Sequence, residues 1–446
     1  MLESGEAFEV HGGSDECNAS GAPAFPPRTA AVSSSPPATP APHPSSHASW
    51  GGAPSGRGAT VTQVVADVQL RWPSRDDAPI DTRGARIERI DPSPATRAQP
   101  ASTPRQAPLF EREDPTAPPG AGRLILGDNL EAMRALLEEG LEGKLDLAYL
   151  DPPYMSGVDY ALEKESTTSR SRSRTHAYGD RWSERADYLD MLWPRLRLVH
   201  RLLAPHATIW VQLDHRATFL AHALLDELFG PRRFRNAIVW RRAPPLGRQV
   251  QSGQFPRNVD TLIAYARGDA PIFRPLRTQA PIERSKARYD EARKAWFTLA
   301  PRGDYTDESI ARLDAEGRVH RTASGKAYIK YFLEEAKDGS LMKSRAIDSM
   351  WDDVPAIRHV ALSERTGYPT QKPEQLLTRI VQSTCKEGGV VLDPFSGSGT
   401  TALVSSRLGC GFIGLDASEV AMETARERLG KAEVPFVCER VVRAAG

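Results

Sequence analysis

The chain has 446 residues, a formal net charge of +1 and 26% charged residues, a size that fits one large domain with insertions or a domain plus a disordered arm. Its four cysteines, Cys17, Cys385, Cys410 and Cys438, lie far apart without a CxxC pair or a His/Cys cluster; this argues against a disulfide framework and a structural zinc site, so no metal is expected. No apolar run of about eighteen residues occurs, and MLESGEAFEV has neither a basic nor an apolar leader segment, so a soluble, cytoplasmic protein without membrane association is expected.

Residues 1–120 hold nineteen of the thirty-six prolines and runs such as SSSPPATPAPHPSSHAS, a composition that cannot bury enough apolar surface to offset ordering entropy. They read as a disordered arm, with a strand or two expected near 59–72, where ATVTQVVADVQLRW alternates. Regular structure starts at GRLILGDNLEAMRALLEEG, a short apolar run, a Gly-Asp-Asn turn and apolar positions Leu130, Met133, Leu136 and Leu137 at helical spacing. KLDLAYL follows as a buried strand, and the prolines of DPPY (151–154) end it, because proline cannot donate to a central ladder. Leu189, Leu192, Leu196, Val199 and Leu203 then mark an amphipathic helix. ATIWVQL reads as a strand and RATFLAHALLDELFG as a helix closed by Gly230.

Residues 231–345 break this rhythm and read as an inserted module. Afterwards KPEQLLTRIVQST, GGVVLDPF, TTALVSSRLG, CGFIGLD and SEVAMETARERLG alternate helix and strand again. The pattern predicts an α/β fold with a doubly wound, mostly parallel sheet assembled from two segments, 121–230 and 346–435, with 436–446 as a C-terminal tail.

VVLDPFSGSGTT places Gly397 and Gly399 in a strand-to-helix turn, where backbone can approach a ligand and helix N–H groups point at it. A phosphate-binding GxxxxGK[ST] is absent, the spacing does not fit a GxSxG nucleophile elbow, and the third glycine of GxGxxG is missing. Asp416 ends the next strand, where a carboxylate can accept both hydroxyls of a ribose. The simplest ligand is a nucleoside without a phosphate cradle, and S-adenosylmethionine is one; a glycine turn used only for packing is the bland alternative.

DPPY suits chemistry at an exocyclic amine. The nitrogen lone pair of an aromatic amine is delocalised into the ring, and acceptors that draw its hydrogens out of plane localise that pair toward a methyl donor. Asp151 would accept one N–H and the carbonyl of Pro152 the other, with Pro153 stiffening the turn and Tyr154 stacking on a base taken out of the duplex. Taken alone, the four residues could merely terminate a strand.

DPPY at 151–154, followed much later by DPFSGSGTT at 393–401, resembles the β-class DNA amino-methyltransferases, in which the catalytic motif precedes the cofactor motif. The resemblance runs from about Gly122 to Leu429. It implies a circularly permuted, Rossmann-like S-adenosylmethionine-dependent methyltransferase fold with an inserted target-recognition module. GDNLEAMRALL is similar to the family's Gly-Asp motif, which implies Asp128 and Asn129 near the cofactor. GYPTQKP resembles the family's HPTQKP segment, with Tyr368 in place of the commoner histidine, and implies that Thr370, Gln371, Lys372 and Pro373 close the methionine side. Within DPFSGSGTT the implied cofactor residues are Asp393, Phe395, Gly397, Gly399 and Thr400.

YGDRW, YLDMLWPRLRLVHRLL and SMWDDV are similar to modification subunits of type III restriction-modification systems, where DPPYNTG is common and this chain has DPPYMSG. Aspartate before the prolines resembles the adenine-N6 group, which implies methylation of adenine in duplex DNA. Cytosine N4 is the alternative target, and a catalytically silent DNA-specificity subunit the alternative class. A restriction subunit and a homodimer are the partners to be considered beside DNA.

Fifteen Lys/Arg against five Asp/Glu fall between Pro231 and Ala300. Arg232, Arg233, Arg235, Arg241, Arg242, Arg248 and Arg257, interleaved with Phe234, Trp240 and Phe255, are therefore expected to contact DNA phosphates, with a solvated basic face as the alternative. Arg170, Arg172 and Arg174 add a second basic stretch.

Overall fold

Buried parallel strands read as continuous apolar runs because helices cover both sides of them, and LDLAYL does so: all six residues are buried. Leu147 and Tyr149 pack into one apolar cluster, Ala148 and Leu150 into another on the opposite face, as the two-residue period of a strand requires. The computed structural model describes residues 69–90, 122–157, 159–165, 172–244 and 253–443, all within the unit Val65–Gly446.

In chain order the main elements are β1 (Ala85–Arg89), β2 (Gly122–Leu126), α1 (Asn129–Glu138), β3 (Leu145–Leu150), α2 (Arg185–Leu202), β4 (Leu203–Leu213), α3 (Thr218–Phe229), β5 (Phe234–Arg241) and β6 (Val259–Ala266). After them come α4 (Asp307–Ala315), β7 (Met350–Trp351), α5 (Glu374–Thr384), β8 (Val390–Asp393), α6 (Thr400–Arg407), β9 (Gly411–Asp416), α7 (Glu419–Lys431) and β10 (Phe436–Arg443). The ten strands form one sheet, in the order β1-β10-β2-β9-β8-β3-β4-β6-β5-β7. Neighbours from β10 to β4 run parallel, and β6 is antiparallel to both β4 and β5. Helices α1, α2 and α3 bury their apolar stripes on one face; α5, α6 and α7 cover the other. This is the expected doubly wound sheet built from two chain segments. Among the described residues no helix is long and apolar enough to cross a membrane.

Three expected boundaries are corrected. Residues 436–443, assigned to a tail, form β10, which pairs with β2 and carries β1 on its outer side. Part of the arm is folded: Trp72 donates to Asp190 (2.6 Å), and the Arg75 guanidinium sits between the rings of Trp72 and Trp193 while pairing with Glu227. Side-chain anchors of this kind leave no periodic signature in a proline-rich segment. Of the strand expected at 59–72, residues 59–68 lie outside the described residues, and 69–72 are not in a strand. Thirdly, β5 and β6 belong to the main sheet, so the inserted module begins after β6 rather than at 231. It comprises a four-stranded sheet, on which Ile310 and Leu313 of α4 pack against Val319 and Ile329, and a three-stranded one containing Arg277–Ile282.

Candidate active site

The winding of the sheet reverses between β8 and β3, because β8 leads through α6 to β9 on one side and β3 leads through α2 to β4 on the other. Loops that diverge at such a point leave a crevice at the carboxyl edge. Asp393 ends β8 and Asp151 follows β3, so the two motifs, 242 residues apart in sequence, open on the same cavity of about 440 Å³. Asp128, Asn129, Thr370, Gln371, Lys372, Asp393, Phe395, Gly397, Thr400 and Asp416 line it, together with Asp151 and Pro153. Pro373 and Gly399 stand just outside, as the residues capping the N-termini of α5 and α6. Pro152 is buried and Tyr154 half-buried, and neither is part of the lining.

The DPFSGSGTT loop is held by carboxylates. Asp416 accepts from the N–H groups of Gly397 and Ser418, each at 2.9 Å, and so ties the loop to β9. Asp393 accepts from the Phe395 N–H (3.0 Å) and the Thr401 hydroxyl (2.5 Å). Burial pushes the Asp393 carboxyl up to about 7 and raises that of Asp416 as well. At Gly399 the backbone has a φ of 72°, and an added Cβ would lie 2.8 Å from that of Ala425, so the turn needs glycine both for its conformation and for the approach of α7.

Asp128 caps α1, accepting from the N–H groups of Leu130 and Glu131. Asn129 donates to the Pro394 carbonyl (2.6 Å) and accepts from Arg195 Nε (2.5 Å), while Arg195 Nη2 donates to Asp128 (2.9 Å). Arg195, with Met191 one turn earlier on α2, lines the cavity and was not anticipated; its one sign in the sequence is an arginine flanking the apolar stripe of that helix. Tyr149, Trp182, Tyr368, Ser396 and Ser398 are further lining residues not singled out for the site from their sequence.

On the DPPY side, Asp151 Oδ1 accepts from the Tyr154 hydroxyl and Oδ2 from Lys372 Nζ. Lys372 also stands over the Tyr154 ring, 5.5 Å from its centroid. The lysine expected on the methionine side therefore reaches across the cavity to the DPPY loop. Tyr149, two residues before Asp151, donates to Gln212 (2.7 Å), which donates to Asp260 (3.0 Å), which accepts from Arg242 Nε (2.7 Å). Burial pushes the Asp260 carboxyl up to about 6.

The arginines predicted to meet DNA separate into two groups. Arg241 pairs in register with Val259, at the carboxyl edge that also carries Asp151, and Arg242 and Arg257 flank that pair. Arg232, Arg233 and Arg235 lie at the opposite end of β5, about 20 Å away along a strand rising roughly 3.3 Å per residue. Arg233 is paired there with Asp269, and Arg235 lines a different cavity with Trp210 and Trp351. Arg248 and Arg170 lie outside the described residues, and Arg172 and Arg174 fall within the strand Arg172–Gly179.

A profile of DNA methylases matches residues 145–427, spanning DPPY, the inserted module and DPFSGSGTT. The chain belongs to the N6/N4 DNA methylase family. It is 30% identical over 337 residues to the type II methyltransferase M.EcaI of Enterobacter cloacae, covering 70% of each protein. It is 22% identical over 398 residues to a probable type III restriction-modification enzyme HindVI Mod subunit of Haemophilus influenzae, covering 70% of this chain and 51% of the relative. Among solved structures, the complex of M1.HpyAVI with SAM matches 69% of this chain and 98% of that one, at 15% identity and a TM-score of 0.39.

The methyl donor of this methylase is S-adenosylmethionine, and the cavity suits it: four carboxylates (Asp128, Asp151, Asp393 and Asp416) face two cations (Lys372 and Arg195). Asp393 is buried and Asp151 and Asp416 are half-buried; a surplus of carboxylates over cations favours a sulfonium ligand, whose positive charge also offsets the burial penalty on Asp393 and Asp416.

Proposed function

We propose that this methylase transfers the methyl group of S-adenosylmethionine directly to the N6 amine of adenine in duplex DNA, at a specific site, with the target base flipped out of the stack. The observation that carries the reading is the convergence of Asp151 and the Gly397–Thr400 turn on one cavity. S-adenosylmethionine supplies an electrophilic methyl group when bound. The protein's part is to hold the amine and its protons: Asp151 accepts one N–H and the Pro152 carbonyl the other, which localises the nitrogen lone pair. Both Asp151 oxygens already accept one bond each, and each keeps a further lone pair for the incoming amine. The Tyr154 ring becomes a stacking platform for the base once Lys372 moves off its face.

Aspartate before Pro-Pro-Tyr supports adenine over cytosine. The likeness to a Mod subunit supports a nuclease partner within a restriction-modification system. The test is transfer of tritiated methyl from S-adenosylmethionine to modification-free duplex DNA, followed by digestion to nucleosides. N6-methyladenine is expected; N4-methylcytosine would reassign the base, and transfer unaffected by Asp151→Ala would overturn the mechanism.

A further inference from the structure

Asp180 is only 1% exposed, and among the described residues its carboxylate accepts from N–H donors. Oδ2 accepts from the backbone of Tyr154 (3.2 Å) and Ser156 (2.8 Å), and Oδ1 accepts from the backbone of Met155 (2.8 Å) and the indole of Trp182 (3.0 Å). The Asp180 carbonyl accepts the next N–H in line, that of Gly157, at 2.9 Å. Four consecutive backbone donors of the segment that follows Asp151-Pro152-Pro153 thus converge on one residue.

Successive N–H groups of an extended chain point to alternate sides and not at one spot. A left-handed residue following a right-handed one turns successive N–H groups to one side and creates a concave, anion-binding arrangement. That residue is Met155, with a φ of 60°, a conformation costly for a side chain with a Cβ. The carboxylate therefore holds strained backbone immediately beside the catalytic motif. Asp180 also closes the hairpin formed by Asp159–Glu165 and Arg172–Gly179, so it joins the base of that hairpin to the DPPY loop. Gly179 and Trp182, on either side of it, line the cavity, and the Trp182 ring meets Tyr188 edge-on at 5.4 Å.

We propose that Asp180 is the positioning residue of the catalytic loop: by gathering the N–H groups of residues 154–157 it sets where Asp151, the Pro152 carbonyl and Tyr154 stand relative to the target amine. The inference rests on the methyltransferase reading above. It predicts a defect in the transfer step, because a displacement of about 1 Å at the reacting groups lowers a rate on the order of 100-fold, while the cofactor loop, built on β8 and β9, keeps its own anchors.

The full chain and its Asp180→Asn and Met155→Gly/Asp180→Asn variants would be assayed with tritiated S-adenosylmethionine and PCR-amplified, modification-free bacterial DNA. Asparagine keeps the size of the side chain but presents an NH₂ group to backbone N–H groups. Asp180→Asn is expected to lower kcat about 100-fold, with cofactor KM within threefold of the parent and the protein folded by circular dichroism. Glycine tolerates positive φ without the acid to hold it, so the double variant is expected to recover at least about fivefold of that loss. A kcat within threefold of the parent in Asp180→Asn would overturn the proposal, as would a loss confined to KM or a double variant no better than the single one. Should Asp180→Asn not fold, Trp182→Phe, which removes one of the four side-chain bonds, takes its place. It is expected to lower kcat about three- to tenfold, and an unchanged kcat would overturn the proposal. Absence of transfer by the parent chain would instead overturn the methyltransferase reading, so the two failures are distinct.

Discussion

Lys372 Nζ donates to Asp151 Oδ2 across the cavity and to the Thr370 carbonyl at 3.1 Å, joining two motifs 221 residues apart in sequence. Thr370 has a φ of 65°. The pair is mostly buried, with 10% and 16% of the two side chains exposed, so each charge depends on the other for compensation. Replacing Lys372 with Met, of similar length and without charge, leaves Asp151 uncompensated. Methyl transfer at saturating cofactor and DNA is expected to fall by about 100-fold, the scale of losing one charged stabilising group in a closed site. A single-turnover rate equal to that of the parent would rule out a part for this lysine in the transfer step.

Asp393 connects pH to stability. Its carboxyl is raised to about 7 in the folded chain and titrates near 3.9 when unfolded. The folded state therefore holds more protons between those values, and stability rises as pH falls from about 7 toward 4 and is lost as pH rises. The slope from this group is at most about 1.4 kcal/mol per pH unit. Asp260, raised to about 6, acts in the same direction. Thermal midpoints of the cofactor-free protein at pH 8 and pH 6 should show the increase, and Asp393→Asn should reduce it. Equal pH dependence in parent and variant would show that Asp393 does not titrate in that range.

The separation of the arginines predicts unequal effects on DNA binding. Every DNA phosphate that an arginine neutralises adds about 0.9 to the steepness of log K against log salt. Substituting Arg241 and Arg257 with Gln, at the edge that holds Asp151, should lower that steepness by about 1 to 2. The same change at Arg232 and Arg235, at the far end of β5, should leave it unaltered. Equal slopes in the two pairs of variants would place the phosphate-binding surface elsewhere.

Gly399 and Gly409 have the same φ of 72°, but an added Cβ would press on Ala425 at 2.8 Å in the first and meets nothing within 4 Å in the second. Gly409→Ala should cost only the backbone term, about 1–2 kcal/mol. Gly399→Ala adds overpacking of about 1–3 kcal/mol and should weaken S-adenosylmethionine binding as well. Denaturant unfolding and cofactor titration of both variants separate the two costs, and equal losses would mean that α7 yields to the added methyl group.

The β-α alternation, the strand-ending prolines of DPPY and the glycine turn of DPFSGSGTT were legible in the sequence because each rests on short-range physics: side-chain periodicity, the missing N–H of proline, and the φ freedom of glycine. Asp151 and Asp416 were singled out in this way, since each stands where a strand gives way to a turn, whereas Asp128, Asn129 and Asp393 came from the resemblance to the methyltransferase family. Strand order has no such local signal. It is decided when the apolar faces of distant segments close on one another, and this closure brings Lys372 to Asp151, lays Arg195 on Asn129 and turns the Arg241 end of β5 to the edge that carries Asp151. Asp180 shows the limit most directly. Nothing in YGDRW marks an aspartate that gathers four backbone N–H groups, because the donors lie 23 to 26 residues earlier and converge only when the hairpin folds back on the catalytic loop.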